Sequence, residues 1–169
     1  LDHLFKFKEV IQRINSKNNF IYKPTKFSGS LIENLIISTS LAYGRLNISK
    51  NFTFEKTDFN CDGNIDILQD YPVLNFHCLI SAKDKKKFLS KLNKDYKNKD
   101  KTLDLEVKGR MSILNKKINF EFININNTYN ASKEDLVYYK KTFESIILNK
   151  GILEIFDITK IKNFVKEIS

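Results

Sequence analysis

The chain of 169 residues contains no Trp, one Met, two Pro and five Gly. The scarcity of Gly bears on nucleotide binding, because a phosphate-binding loop needs several glycines close together. The five glycines do not cluster, and the G-x-S-x-G pattern of a nucleophile elbow is also missing. The sequence therefore lacks the signatures of a Gly-rich phosphate loop and of an α/β-hydrolase.

Histidine and cysteine are equally scarce, with two residues of each type. His3 lies near the start of the chain, and His77 lies between Phe76 and Cys78 in a predicted strand. A catalytic base needs a partner that orients it, and the sequence names none, so a half-exposed strand histidine is the favoured interpretation of His77. Neither a C-x-x-C nor an H-x-x-x-H spacing is present, which disfavours a zinc site. We expect no catalytic residue, no metal site and no cofactor.

Arginine is scarce in a chain that is otherwise strongly basic. The 29 Lys and Arg residues outnumber the 20 Asp and Glu residues, for a net charge of +9, yet only Arg13, Arg45 and Arg110 are arginines. Because Arg is preferred for bidentate contacts with phosphate and guanine, its scarcity disfavours nucleic acid as a partner. A basic nucleic-acid-binding or ribosome-associated protein is the alternative function. It predicts lysines gathered on one face beside exposed aromatic residues. The candidate aromatic residues are Tyr22, Tyr43, Tyr96 and Tyr138.

Long apolar runs are missing as well. No run approaches the roughly 18 residues that a membrane-spanning helix needs, and no signal peptide is visible. The first residue is Leu1 rather than Met, so we expect a piece of a longer protein. We expect any export signal or membrane anchor to precede Leu1.

Alternating apolar residues dominate the first half of the chain. Hydrophobic residues make up 41% of the sequence and include fourteen Phe, enough for a substantial core. Between about residues 31 and 80, apolar side chains recur at every second position, which is the pattern of strands with one apolar face. The alternating positions are Leu35, Ile37, Thr39, Leu41, Leu46, Ile48, Phe59, Cys61, Gly63, Ile65, Leu74, Phe76, Cys78 and Ile80. Short turns between these runs predict an antiparallel meander.

The clearest hairpin runs from Leu103 to Phe122 and turns at Asn115-Lys116. In a regular strand, Ile123 and Ile125 would then fall on the opposite face, and a β-bulge near Phe122 explains this slip. The two polar stretches at residues 16–19 and 49–51 interrupt the alternation and are interpreted as breaks between runs.

Helical spacing of apolar residues predicts helices near Ala82 to Leu92, Lys133 to Leu148 and Thr159 to Ile168. The segment Leu4 to Ile14 fits a short amphipathic helix, with a strand as the alternative. Ser132 is followed three residues later by Asp135, which resembles a capping box at a helix start.

The predicted fold class is α+β: an antiparallel, β-rich meander, as a curved sheet or groove, with amphipathic helices, two of them near the C-terminus. We expect a single domain, or a fragment of a longer chain, over residues 1–169. Residues 27–127 are mainly antiparallel strands with one inserted helix, and residues 132–169 form the helical part.

Cys61 and Cys78 fall on the apolar face of two neighbouring predicted strands. A turn near Asp70 to Pro72 would bring them within disulfide distance, a hypothesis that suits an oxidising compartment. Two buried free thiols in a reducing cell are the alternative. On the opposite face, four carboxylates recur at every fourth residue: Asp58, Asp62, Asp66 and Asp70. A solvated strand face is favoured there over a calcium site or an acid pair.

Three stretches of the chain carry a resemblance to a known family. They are "NFTFEKTDFNCDGNIDILQDYPVLNFHCLI", "LDLEVKGRMSILNKKINFEFI" and "YNASKEDLVYYKKTFESIILNKGILEIFDITKIKNFVKEI". In this order, the sequence resembles the C-terminal periplasmic region of AsmA-like proteins from bacteria with AT-rich genomes. The resemblance covers most of the chain from about Phe27, and its motifs are structural, so no catalytic residue is carried over.

The resemblance implies a periplasmic domain attached to the inner membrane by a segment before Leu1. It implies a β-groove whose apolar lining shelters phospholipid or another acyl-chain lipid on its way to the outer membrane, with other envelope proteins as further partners and a role in envelope maintenance. The candidate lipid-facing residues are Leu103, Leu105, Val107, Met111, Ile118 and Phe120. An open groove and a closed core both fit their alternation.

Overall fold

The computed structural model describes residues 8–24, 32–54, 56–90, 101–148 and 158–168. Eight strands form one antiparallel sheet in which each strand lies beside the next along the chain, with β1 and β8 at the two edges. The strands are β1 (Ser16–Tyr22), β2 (Ile32–Ala42), β3 (Arg45–Phe54), β4 (Thr57–Asp66), β5 (Val73–Ala82), β6 (Leu103–Ser112), β7 (Lys117–Ile125) and β8 (Tyr129–Asn130). The helices are α1 (Lys8–Arg13), α2 (Lys85–Ser90), α3 (Lys133–Ile146) and α4 (Ile158–Ile168). The predicted β-rich α+β meander is confirmed.

The sheet has one apolar and one polar face, because side chains alternate along each strand and directly opposed residues point to the same side. The larger side chains of the apolar face are Phe20 and Tyr22 (β1), Leu35, Ile37 and Leu41 (β2), Leu46, Ile48, Lys50, Phe52 and Phe54 (β3), Phe59, Cys61 and Ile65 (β4), Leu74, Phe76, Cys78 and Ile80 (β5), Leu103, Leu105, Val107 and Met111 (β6), and Ile118, Phe120, Ile123 and Ile125 (β7). The polar face carries the intervening residues of each strand.

Helices α3 and α4 cover the apolar face at the β7 end of the sheet. Helix α3 packs on β7, and α4 packs on α3 and reaches α2. The ring of Phe120 lies 5.5 Å from that of Phe143 on α3 and 5.8 Å from that of Phe164 on α4, measured between ring centres. At the other end of the core, Phe88 of α2 packs against Phe59, with ring centres 5.9 Å apart. The core therefore lies between the helices and strands β3 to β7, where β3 contributes Phe52 and Phe54.

A β-bulge in β7 keeps its apolar residues on one face. Phe120 lies opposite Gly109, whereas Phe122 lies opposite Lys108, so Glu121 is an extra residue in β7. Ile123 consequently returns to the apolar face and is 1% exposed. The bulge predicted near Phe122 is confirmed.

The helix predictions agree with the structure over the described residues. Helices α3 and α4 occupy the two predicted C-terminal segments, and α1 shows that the helix, not the strand, is correct for residues 8–13. The predicted helix near Ala82 starts later, at Lys85, because Ala82 still pairs with Leu103 in the sheet. Leu4 and Leu92, at the ends of two predicted helices, lie outside the described residues.

Two predicted breaks are instead regular strand. Residues 16–19 form the first half of β1, and residues 49–51 lie within an uninterrupted β3. The strands therefore begin at Ser16, before the predicted boundary at residue 27. Polar Ser, Lys and Asn have modest strand preferences, but each of these residues pairs directly with a residue of β2, and this pairing outweighs local preference.

Candidate functional site

The six residues predicted to face lipid lie in the closed core. Their exposed fractions are small: Leu103 0%, Leu105 2%, Val107 6%, Met111 3%, Ile118 2% and Phe120 5%. The reason is that the apolar sides of α3 and α4 pack against this part of the sheet. At these six positions the structure thus has a core and not an open groove, and any solvent-accessible part of the apolar face lies elsewhere.

Burial of the apolar face decreases from β7 towards β1. One row of directly opposed residues crosses seven strands and shows this gradient: Phe20, Ile37, Lys50, Cys61, Cys78, Val107 and Ile123. Ile123 is 1% and Val107 6% exposed, the next four residues are partly exposed, and Phe20 is 57% exposed. The apolar face thus continues beyond the part that is fully buried.

The partly exposed end of this face is a continuous apolar surface, here named the accessible strip. It consists of Phe20, Ile37, Leu41, Leu46, Ile48 and Ile65. These residues lie on β1 to β4, and they are neighbours because Phe20 opposes Ile37, Leu41 opposes Leu46, and Leu46 opposes Ile65. Water-accessible apolar side chains on adjacent strands form a surface on which a hydrocarbon chain can lie.

Lys50 lies within this apolar surface. It opposes Ile37 on one side and Cys61 on the other, and Ile48 and Phe52 flank it on the same face of β3. Its Nζ atom lies 4.6 Å from the centre of the Phe52 ring. Partial burial of the ammonium group lowers the pKa of Lys50, because an apolar environment disfavours the charged form.

Cys61 and Cys78 occupy the next two positions in the same row. They oppose each other directly in β4 and β5 and are joined by a disulfide bond. The bond therefore lies between the accessible strip and the buried core.

On the polar face, His77 is hydrogen-bonded to Glu106, which also forms an ion pair with Lys108. The Nε2 atom of His77 lies 2.9 Å from Oε1 of Glu106, and Nζ of Lys108 lies 2.7 Å from the same oxygen. The hydrogen bond from Lys108, together with that from His77, lowers the pKa of Glu106. The sequence did not reveal Glu106 as the partner of His77, since 29 residues separate them. The side chains of His77 and Glu106 are 40% and 29% exposed, as expected for a surface network and not for an enclosed active site.

Two of the four aspartates predicted to share a face, Asp58 and Asp66, accept hydrogen bonds from neighbouring groups. Asp58, Asp62 and Asp66 lie on the polar face, and Asp70 lies in the turn that follows β4. Oδ1 of Asp58 accepts a hydrogen bond from the Thr53 hydroxyl at 2.8 Å, and Oδ1 of Asp66 accepts one from the backbone of Leu68 at 3.0 Å. Within the described residues, no group of three His, Cys, Asp or Glu side chains could hold a metal ion.

The polar face forms a shallow groove of about 560 Å³ across the middle of the sheet. Polar residues dominate its lining, among them Ser38, Ser40, Asn47, Asp62, Asn64 and Asn75. Its strands carry charges of both signs. The cations are Lys17, Arg45, Lys108, Arg110 and Lys117, and the carboxylates are Asp58, Asp62, Asp66, Asp104, Glu106 and Glu121. Such a balance does not create the positive potential expected of a phosphate-binding surface.

Comparison with protein-family models, curated proteins and solved structures found no match to the chain. In the described part of the chain, no helix combines the length and the apolar character that a membrane span requires.

The accessible strip and Lys50 are the features that sequence reasoning missed. The alternation of apolar residues in the sequence nevertheless contains the signal for both. Lys50 follows Ile48 by two residues and precedes Phe52 by two, so it is in phase with the apolar residues of β3. Interpreting residues 49–51 as a break concealed this phase.

Proposed function

We propose that this chain is a non-catalytic, lipid-handling domain of an AsmA-like protein, acting in the periplasm in phospholipid transport towards the outer membrane and in envelope maintenance. The observation that carries the proposal is the accessible strip, a continuation of the sheet's apolar face beyond its fully buried part. In the full-length protein, a segment before Leu1 attaches the domain to the inner membrane.

The physical basis is the removal of apolar surface from water. At about 25 cal/mol per Å², covering roughly 200 Å² of the strip with an acyl chain would contribute about 5 kcal/mol. Shielding hydrocarbon in this way needs neither a nucleophile nor a metal. The strip differs from the scattered apolar residues of an ordinary surface because its six side chains are contiguous across four strands.

Two further features support the proposal. The chain resembles the C-terminal region of AsmA-like proteins in the order of its strand-rich, hairpin and helical stretches. In addition, the disulfide between Cys61 and Cys78 suits an oxidising compartment such as the periplasm, since cytosolic thiols are kept reduced.

The test is mass spectrometry of an organic extract from the purified chain, compared with a soluble control protein prepared in the same way. We expect phospholipid in near-stoichiometric amount. The variant Ile48→Asp places a carboxylate in the accessible strip and should lose the lipid. Leu79→Asp is the matched control, because Leu79 is also an apolar strand residue but lies on the polar face and is 44% exposed. Circular dichroism should show that both variants remain folded.

Two results would contradict this proposal. One is an extract with no more lipid than the control protein. The other is equal lipid retention by the two folded variants, which would mean that lipid does not lie on the strip.

Nucleic-acid binding remains the alternative and has less support. Charges of both signs share the polar face, and the exposed Tyr43 and Tyr138 lie on different elements, the β2–β3 turn and helix α3. Tyr96 lies outside the described residues. RNA binding that weakens steeply as salt concentration rises would restore this alternative.

A further inference from the structure

Lys50 is the one charged side chain at the paired positions of the apolar face in strands β1 to β7 as the structure describes them. The other paired positions of this face hold apolar residues, glycine, or uncharged polar residues such as Asn18 and Thr39. A strand lysine normally lies on the solvated face, where water stabilises its charge. Its position among Ile37, Ile48 and Phe52 therefore puts a positive charge beside a hydrocarbon-binding surface.

We propose that Lys50 makes the accessible strip selective for lipids whose headgroup carries a net negative charge. The inference rests on the proposed lipid-handling function and adds the chemical class of the lipid. An acyl chain lies along Ile37, Ile48 and Leu46, and the anionic headgroup accepts a hydrogen bond from the Nζ atom of Lys50.

Charge complementarity identifies this occupant. A partly buried ammonium group interacts with an anion more strongly than a solvated one does, because water screens the pair less. Hydrogen bonds between charged groups are also shorter and stronger than neutral ones. A zwitterionic headgroup carries its own ammonium group close to the phosphate, so its attraction to Lys50 is partly cancelled. The surrounding apolar side chains indicate a lipid and not a free inorganic anion, since an isolated anion would leave them in contact with water.

The lowered pKa of Lys50 agrees with this geometry. Burial disfavours the charged form of the side chain. A bound anion would favour the charged form and thereby raise the pKa again. Lipid binding and charging of Lys50 are then mutually reinforcing.

The experiment loads the purified chain from vesicles that contain phosphatidylglycerol and phosphatidylethanolamine in equal amounts. Mass spectrometry of the organic extract then measures the ratio of the two bound lipids. We expect phosphatidylglycerol to be enriched roughly tenfold, as the usual strength of a charge-assisted hydrogen bond implies.

Lys50→Gln should reduce the ratio to about one while total bound lipid persists, and Lys50→Arg should keep the enrichment. Lys17→Gln removes an exposed charge from the polar face of β1 and should change nothing.

The outcomes separate this inference from the function on which it rests. Lipid bound by the unaltered chain at a ratio near one overturns the selectivity and leaves lipid handling standing. The same conclusion follows if Lys50→Gln binds lipid with the enrichment unchanged. Absence of bound lipid from the unaltered chain overturns both proposals. If Lys50→Gln does not fold, the ratio of the two bound lipids in the unaltered chain and in Lys50→Arg still tests the selectivity.

Discussion

Cys61 and Cys78 lie directly opposite each other in adjacent strands and close a loop with a sequence separation of 17 residues. The loop contains the turn around Pro72 that joins β4 to β5. On one side of the bond the apolar face is buried under helices, and on the other it is partly exposed at Lys50 and Ile37. The disulfide therefore links the core to β4, the last strand of the accessible strip, on the side with less packing to stabilise it.

Reduction of this disulfide should destabilise the fold. A cross-link across a loop of this length restricts the unfolded chain and typically contributes about 3 kcal/mol. We expect urea unfolding of the chain in reductant to show a loss of that order. The double variant Cys61→Ala/Cys78→Ala is the control, since reductant should leave its midpoint unchanged. Equal stability of the chain with and without reductant would contradict the prediction.

Gly109 should not tolerate a methyl group. It lies opposite the bulge, and a Cβ atom at this position would come within 2.6 Å of the backbone oxygen of Asn119 and 2.9 Å of the Phe76 ring. Because the backbone cannot move aside cheaply, we expect Gly109→Ala to lower the free energy of unfolding by about 1–3 kcal/mol.

Gly63→Ala is the matched control for this substitution. Gly63 lies in the same row of the apolar face, but its new Cβ atom would first meet the end of the flexible Leu74 side chain, at 3.0 Å. Denaturant unfolding should therefore show a smaller loss for Gly63→Ala. Equal stability of the two variants would contradict the steric explanation for the loss of stability in Gly109→Ala.

Phe120 should be a principal residue of the core. It is 5% exposed and packs with Phe76 of β5 as well as Phe143 and Phe164 of the helices. Phe120→Ala would leave a cavity among these rings, so we expect a loss of about 3–5 kcal/mol in unfolding free energy. Phe122→Ala should lose about 1 kcal/mol, since Phe122 lies two residues further along on the polar face. Similar losses at both positions would show that α3 and α4 do not pack as described.

The alternation of apolar residues predicted strands β2 to β7, their antiparallel order and the bulge, but polar residues concealed the first half of β1 and the middle of β3. The bulge is an example: Ile123 could share a face with Ile118 only if β7 contained an extra residue. The capping residues Ser132 and Asp135 likewise marked the start of α3 correctly. Local pattern was informative wherever one face of an element is buried.

What the sequence could not show was how far the helices extend over the sheet. Val107 and Ile48 each lie between two polar residues in the same way, yet Val107 lies in the core and Ile48 is partly exposed. The difference depends on the packing of α3 and α4, more than 20 residues away in the chain, and strand periodicity contains no information about it. The six residues predicted to face lipid consequently lie at the buried end of the apolar face.

Acid should weaken the start of helix α3 through Asp135. The hydroxyl of Tyr129 donates a hydrogen bond to Oδ2 of Asp135 at 2.6 Å, and the backbone N–H of Ser132 donates to the same oxygen at 2.9 Å. These bonds, that from Tyr129 first, lower the pKa of Asp135 because they favour the carboxylate. The pKa in the folded chain is thus below that in the unfolded chain. Stability from Asp135 is then fully present above the unfolded pKa of about 3.9 and is lost as pH falls through the folded pKa.

Urea unfolding at a series of pH values checks this prediction. Asp135→Asn should be less stable than the unaltered chain at neutral pH, and the difference should shrink as the pH falls below about 3.9. Glu134→Gln removes a carboxylate from the same turn without touching the bonds to Tyr129 and Ser132, so most of the pH dependence should remain. If Asp135→Asn follows the pH profile of the unaltered chain throughout the acid range, the hydrogen bonds from Tyr129 and Ser132 do not stabilise the folded state.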